Sequence, residues 1–567
     1  MLAEKSEIVA VSRFWNLNSR TSAVNTTISP MYKYLIASLA KPDCLLRRMH
    51  NLFPIAFEPR QTVYYAILPS EGDSPLAPLH DRMENELKQH ALAALVAAAV
   101  AGCTVGPDYA RPVVDTPAAW RIDYPKAAEV ANTKWWEQFG DPVLNALIET
   151  ALRENRDIRI AAARVDQFAG ALVSTRSQSL PQLGYGADAS RAQASRVGQP
   201  PIPPGADNQF ALYQASLGAS WQLDLFGRVR RLTEAAQAQV YASEQAQRGV
   251  VLTLVTSVAA SYIGLRALDR QLEIARATAR NFGETARIFD LRFRAGIVSQ
   301  TEVVQIRSQY QQALAAIPAF EQAIAAQENL ISILLGRNPG PIPRGKSIDQ
   351  LVPPLIPADL PSALLQRRPD IMQAEQNLVA ANANIGATRA LYYPSLSLTG
   401  ALGSASTAFG NFLTGPASVW LLAAGLTGPI FTFGAIEGQV SAAEAQEQQA
   451  LFFYQRTILN AFRETNDALV GSQKKIEEVA MQGLRVDALR EFARLSRLKF
   501  DKGVAGYLEV LIAENELFAA EIASVSLLAA RYSQLVSVYQ AMGGGWVDIA
   551  GSFTPRPQGM AAATPQQ

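Results

Sequence analysis

Histidine and cysteine are almost missing from this chain. The histidines are His50, His80 and His90 and the cysteines Cys44 and Cys103, so neither type occurs beyond residue 103. That removes the usual general bases, nucleophilic thiols and transition-metal ligands from most of the sequence. Net charge is lacking too. The 51 basic and 50 acidic residues leave +1 over 567 residues, which gives no electrostatic footprint for nucleic acid. Carboxylate-only hydrolysis stays open on composition, but acids spread over helical faces are ordinarily solvated. The expectation is a protein that is not an enzyme, with no catalytic site, no metal site and no nucleic-acid partner. Proline, common elsewhere, is missing from 205–317 and from 430–554, which frees both stretches for unusually long helices.

A long hydrophobic run is also absent. The apolar run Ala91 to Ala101, preceded by Lys88 and followed by Gly102-Cys103, is too short to span about 30 Å of hydrocarbon and reads as a secretory signal. Residues 1–82 have no sustained period and read as an extension outside the mature protein. Residues 83–102 then form the signal peptide. Val100-Ala-Gly-Cys103 resembles a bacterial lipobox, which implies cleavage before Cys103 and acylation of that cysteine. Its N-acyl and diacylglycerol chains are the only prosthetic chemistry expected; there is no cofactor.

What the chain does have is a duplication. Trp221-Gln-Leu-Asp-Leu-Phe-Gly227 ends an alternating strand pattern and opens a helical one, and Thr427-Gly-Pro-Ile-Phe-Thr-Phe-Gly434 repeats the junction 207 residues later. Leu291-Arg-Phe-Arg-Ala-Gly296 and Leu498-Lys-Phe-Asp-Lys-Gly503 keep that spacing, so the two intervening helices have equal lengths. Asp157-Ile158 and Pro181 match Asp370-Ile371 and Pro394 at 213 residues, which puts a six-residue difference in the Pro-rich loop 198–208. The spacing predicts a first copy over 103–354, with strands about 183–224 and a helical hairpin 228–336. A second copy follows over 355–546, with strands about 394–431 and a hairpin 434–542, and then a disordered tail over 547–567. A helix capped by Asp141 should run to about Ser179. Pro318 marks a candidate kink in the first return helix.

In the first long helix Val251, Val258, Leu265 and Leu272 recur every seven residues, interleaved with Val255 and Tyr262, which is the coiled-coil template. Ile458, Phe462, Leu469 and Ile476 form the corresponding stripe in the second. Some 65 helical residues make a rod of roughly 100 Å. In the strands, Leu396, Leu398 and Leu402 share one face and Ser395, Ser397, Thr399 and Ala401 the other, the alternation of a membrane β-barrel strand. Four such strands cannot close, and an open edge in lipid leaves unpaired backbone groups at several kcal/mol each. Two copies would give eight strands and a barrel filled by side chains. Three copies give twelve strands and room for a pore, so a homotrimer is expected.

Asp224-Leu-Phe-Gly227, Arg368-Pro-Asp-Ile371, Gly543-Gly-Gly-Trp546 and Cys103-Thr-Val-Gly-Pro-Asp-Tyr109, together with the duplication, resemble the TolC-like outer-membrane efflux proteins, in particular their lipid-anchored branch that includes OprM and NodT. The resemblance runs from about Cys103 to Trp546. It implies a mainly α fold with membrane β-structure, in which a trimeric 12-stranded outer-membrane β-barrel continues as a periplasmic α-barrel. The function it implies is a passive exit duct for drugs or other small molecules in a tripartite efflux pump of a Gram-negative bacterium. The implied partners are a periplasmic membrane-fusion adaptor and an inner-membrane resistance-nodulation-division transporter, with outer-membrane lipid around the barrel. Adaptor docking falls on the helix turns Gly296-Ile297-Val298-Ser299 and Gly503-Val504-Ala505-Gly506. The periplasmic gate falls on Glu509, six residues past Gly503, with Ile512 where a second acid occurs in the family and with Tyr507 and Glu514 as further gate residues. The competing reading is a lipid-anchored coiled-coil scaffold or adhesin without a pore, which has no use for four alternating strands.

Overall fold

The computed structural model describes residues 104–117, 119–121, 133–197, 202–203, 205–356, 361–544 and 546–555. Expectations for the 1–82 extension, the signal 83–102 and acylated Cys103 lie outside these residues. The chain separates into two units, Met1–Glu86 and Leu87–Gln567, and all that follows concerns the second.

A 3-10 turn at Trp135–Phe139 precedes α1 (Pro142–Glu154) and α2 (Arg156–Ser177). Next come β1 (Gln182–Gln193), β2 (Gln209–Leu223), α3 (Arg228–Arg294) and α4 (Gln300–Leu334). The second copy has α5 (Pro369–Arg389), β3 (Ser395–Ser406), β4 (Ser418–Thr427), α6 (Ala435–Asp501) and α7 (Tyr507–Met542), and α8 (Trp546–Gly551) follows. The described residues are thus mainly helical with four strands. Both α3 and α6 are 67 residues long, and the duplication extends to single rungs of the sheet. Gln182 faces Ser220 in the first hairpin and Ser395 faces Thr427 in the second, positions related by the 213- and 207-residue shifts seen in the sequence.

The sheet is antiparallel in the order β1-β2-β3-β4, with the copies joined through β2 and β3. Cross-strand partners point to one side, so the register sorts the side chains onto two faces. One carries Leu183 and Tyr185 of β1, Leu217, Trp221 and Leu223 of β2, Leu396, Leu398 and Leu402 of β3, and Trp420, Leu422 and Leu426 of β4. The other is mostly small and polar, for example Gly184, Gly186 and Asp188 against Gly218, Ser216 and Gln214, and Thr399 against Ala423.

Each rod begins at a left-handed glycine, Gly227 or Gly434. Before α3 the Asp224 carboxylate accepts from Val229 N and Arg230 N, supplying the cap that Gly227 cannot. Val251, Val255, Val258, Tyr262, Leu265 and Leu272 are all buried, and all but Leu272 join Trp135, Trp136, Phe139, Tyr539 and Trp546 in the main core. A stretch of α3 is long and apolar enough to cross a membrane, but 61% of it is buried against other helices, so its apolarity serves the core. The segment between the copies crosses α3 and α7: Arg266 Nε donates to the Lys346 carbonyl and Tyr532 Oη to that of Leu351.

Four features differ from the sequence reading. The first helix breaks at Asn155, whose side chain caps α2 at Asp157 N and Ile158 N while its Nδ2 donates to the Leu334 carbonyl. The start of the tail is ordered as α8, because Val547 and Ala550 pack beside Trp546 in the main core. In the second stripe Ile458, Phe462 and Leu469 are buried but Ile476 is exposed. Strand β4 stops at Thr427, just before Gly428-Pro429, where proline has no N–H for the ladder. Pro318 lies inside α4, and the helix continues through it.

Candidate functional site at the two ends of the helical rods

The four signature motifs meet in pairs, one at the sheet end and the other beside Glu464, midway along α6. Thr104, the residue after Cys103, packs on Gly227, where an added Cβ would come within 3.0 Å of its Cα. Val105 N donates to the Phe226 carbonyl at 3.2 Å. The buried Arg231 guanidinium donates to the Val105 carbonyl and to Asp108 and Glu234 at 2.7 and 2.8 Å. Tyr109 Oη and Arg111 both donate to Glu375 of α5, and Asn382 Nδ2 donates to the Pro107 carbonyl. The arm after Cys103 therefore ties the first rod to the second copy. In the other pair, Gly543 lies against Arg368, whose guanidinium donates to the Ala541 carbonyl, Asp370 and Glu464.

At the far end both rods turn through the same backbone device. Gly296 and Gly503 have φ of 74° and 70°. Gly296 N reaches Phe293 O and Ile297 N reaches Arg292 O; Gly503 N and Val504 N reach Phe500 O and Lys499 O in the same way. This is the paired Schellman arrangement that satisfies terminal carbonyls. Its usual apolar partner contact is missing, because Ile297 and Val504 are 71% and 78% exposed. Val298 packs inward beside Phe289. The next helices start differently: Ser299 and Glu302 form a reciprocal capping box before α4, whereas Gly506, following Ala505, offers no side-chain cap to α7.

The expected gate residues lie near this turn but in unlike surroundings. Tyr507 is buried, its ring against Phe289 and Phe500. Its hydroxyl faces Thr285 and Arg497 without closing a hydrogen bond of standard geometry, and burial, with the Glu514 carboxylate nearby, pushes its pKa up to about 12. Glu514 is half-buried 3.7 Å from Arg497; desolvation raises its pKa and Arg497 opposes the rise. Glu509 accepts from Lys499 Nζ at 3.0 Å and from Ser496 Oγ at 3.4 Å. Ile512 is exposed. The structure thus brings Tyr507 and Glu514 together around Arg497 and sets Glu509 apart with Lys499. Sequence reasoning missed both cations, although Lys499 stands ten residues before Glu509 across a tight turn.

Paired membrane-type strand hairpins feeding two rods that reverse at glycine turns define the class of outer-membrane channels with helical extensions. The outer membrane efflux protein family matches residues 147–337 and 360–544, and the chain belongs to that family. It is similar to the toluene efflux pump outer membrane protein TtgF of Pseudomonas putida, at 33% identity over 82% of this chain and 98% of that one. It is also similar to the cation efflux system protein CusC of Escherichia coli, 33% over 80% and 97%. Among solved structures it resembles the open state of the Neisseria gonorrhoeae MtrE outer membrane channel, with a TM-score of 0.71, 30% identity, and 80% of this chain and 100% of that one covered. The chain is an outer-membrane efflux channel.

Proposed function

We propose that three copies close a twelve-stranded barrel continued by a tube of helices, forming the passive duct of a tripartite efflux pump. The observation that carries this reading is the division of the sheet into an apolar and a small polar face while β1 and β4 keep free edges. In lipid those edges must be paired. Comparison of the copies supports the same partner surface on the helices. Leu252 is 9% exposed but its counterpart Leu459 66%; Ile274 is 9% and Met481 63%; Leu511 is 4% but Val304, its counterpart on α4, is 55%. Within one chain α3 packs against α7 through Phe289 and Tyr507. By repetition, α6 packs against α4 of a partner subunit.

Repetition also predicts a register for β4 against β1 of a partner subunit. Leu217 faces Leu402 between β2 and β3. The 207- and 213-residue shifts carry that rung to Ala424 of β4 and Ala189 of the partner subunit, and its neighbour to Leu426 and Ala187 of the partner subunit. Both rungs keep the apolar faces together. Leu426→Cys with Ala187→Cys should give trimers linked by disulfides under oxidation, and Leu426→Cys with Gly186→Cys should not. Equal cross-linking of the two pairs, or none, would sink the trimeric barrel.

Cys103 is proposed to be acylated and to hold the mature N-terminus in the outer membrane, because Thr104 sits at the sheet–helix junction beside Phe226 stacked on Tyr393. An unmodified peptide spanning residues 101–104 in the purified protein would refute this. The turns Gly296–Ser299 and Gly503–Gly506 are proposed to dock a periplasmic adaptor working with a resistance-nodulation-division transporter, since Ile297 and Val504 offer apolar side chains that the turns themselves leave uncovered. Ile297→Asp should abolish efflux while trimers persist, and unchanged drug resistance would exclude docking there. Tyr507, Glu509 and Glu514 are proposed to form the gate. Lys499 neutralises much of each Glu509 charge, so a threefold ring of these pairs would attract cations only weakly.

A further inference from the structure

The small polar face of the sheet has a local exception. Along β1 and β3 this face carries Gln182, Gly184, Gly186, Asp188, Ser190 and Ala192, and Ser395, Ser397, Thr399, Ala401, Gly403 and Ala405. The only large apolar side chains on it are Phe210 and Leu212 of β2 and Val419 and Leu421 of β4, all toward the ends of the strands that lie away from the rods. Leu212 and Val419 are the same position in the two copies, 207 residues apart, and are similarly exposed at 37% and 41%. Neither belongs to a packed core cluster.

A threefold axis turns one Leu212 and one Val419 into six aliphatic side chains at one level. Phe210 stands two residues farther from the rods on its strand, and Leu421 two residues nearer on its own. The neighbouring groups on the same face are Gln214 and Ser216 on β2 and Gly403 on β3. Apolar groups on the lipid side of the strands are covered by hydrocarbon. These are not, and what passes them in a duct is water and cargo. We infer that Leu212 and Val419 form an intraluminal apolar ring, a subsite toward the exit end of the strands, which holds the apolar body of amphipathic cargo while its polar or charged end rests among the small polar groups beside it. This rests on the channel reading above. It specifies the substrate class that dwells in the channel: small amphipathic molecules with an exposed apolar body, rather than uniformly hydrophilic solutes or inorganic ions. Contact with an apolar wall without dehydration of the charged end favours such molecules.

The test is single-channel recording from purified wild-type trimers in planar bilayers, with tetraphenylphosphonium as the amphipathic probe and tetramethylammonium as a cation of equal charge without the apolar body. Wild type should show discrete tetraphenylphosphonium blocks and none from tetramethylammonium. Leu212→Ser with Val419→Ser should shorten block dwell times about fivefold and leave potassium chloride conductance unchanged. The swap Leu212→Val with Val419→Leu keeps the ring apolar and should keep the blocks. Val419→Thr alone, nearly isosteric, covers a failure of the double variant to assemble and should shorten the dwell about twofold. Normal conductance steps with equal dwell times in wild type and the serine or threonine variants would overturn the ring, as would wild-type channels that tetraphenylphosphonium never blocks. Trimers that yield no conductance steps would overturn the channel reading, and the ring with it.

Discussion

Arg231 and Arg368 are buried guanidiniums that join sequence motifs more than a hundred residues apart, but their removal should have unequal consequences. Arg368 is held by Asp370, Glu464 and the Ala541 carbonyl, and Gly543 closes over it. Arg231 pairs with Asp108, whose carboxylate is almost fully exposed and can return to water. Arg368→Ala should cost about 2 kcal/mol, because it leaves the buried Ala541 carbonyl without its donor while the half-exposed Asp370 and Glu464 can return to water, and Arg231→Ala clearly less, read as the loss of thermal stability of the detergent-solubilised protein. Arg368→Lys should rescue little, since an ammonium cannot serve three acceptors in one plane. Glu514 gives a pH prediction. Its folded pKa is raised, so the folded tip binds the proton more tightly than the unfolded chain. Stability from this group is therefore greatest below the ordinary carboxylate range and is lost as pH rises through the folded pKa. Glu514→Gln should flatten that dependence in hydrogen exchange at the tip, and an unaltered profile would assign it to other groups. At the neighbouring site, Lys499→Ala should strengthen block by a trivalent cation added on the periplasmic side, whereas Glu509→Gln should remove it.

The elements differ most where one copy has kept a local signal and the other has not. Ser299 and Glu302 close a capping box at the start of α4, whereas Gly506 brings no side-chain cap to α7 and Glu509 N reaches only the Gly506 carbonyl, at 3.4 Å. Ser299→Ala should destabilise the first turn of α4 by about 1 kcal/mol. Gly506→Ser should slow amide exchange over the first turn of α7, and faster exchange would mean that this glycine is needed for its backbone shape. The rods, their glycine turns, their seven-residue stripes and the alternating strands were legible because each is a periodic signal written locally. The break at Asn155 was not, since it depends on the Leu334 carbonyl arriving from α4. Nor was α8, whose six residues are ordered by tryptophans more than 400 positions upstream. The candidate gate was legible only by counting from Gly503. Counting found Glu509, but not that Lys499 would come to lie beside it.

In the whole molecule, two copies serve one architecture, and their agreement in length is uneven. The loops between paired strands differ by four residues, 194–208 against 407–417, yet α3 and α6 are both 67 residues long and their turns fall at matching positions. Insertions should therefore be tolerated at one end of the protein and refused along the rods. One residue added to α3 alone would move its turn by about 1.5 Å and rotate every side chain beyond it by about 100° relative to its neighbours. Removing whole heptads from a single rod would preserve its stripe but leave one turn short of the other. Only a matched change, seven residues from each of α3, α4, α6 and α7 at the same level, keeps both turns in one plane. The length of the duct is in that sense a quantity that can be edited only in fourfold-coordinated steps of about 10 Å.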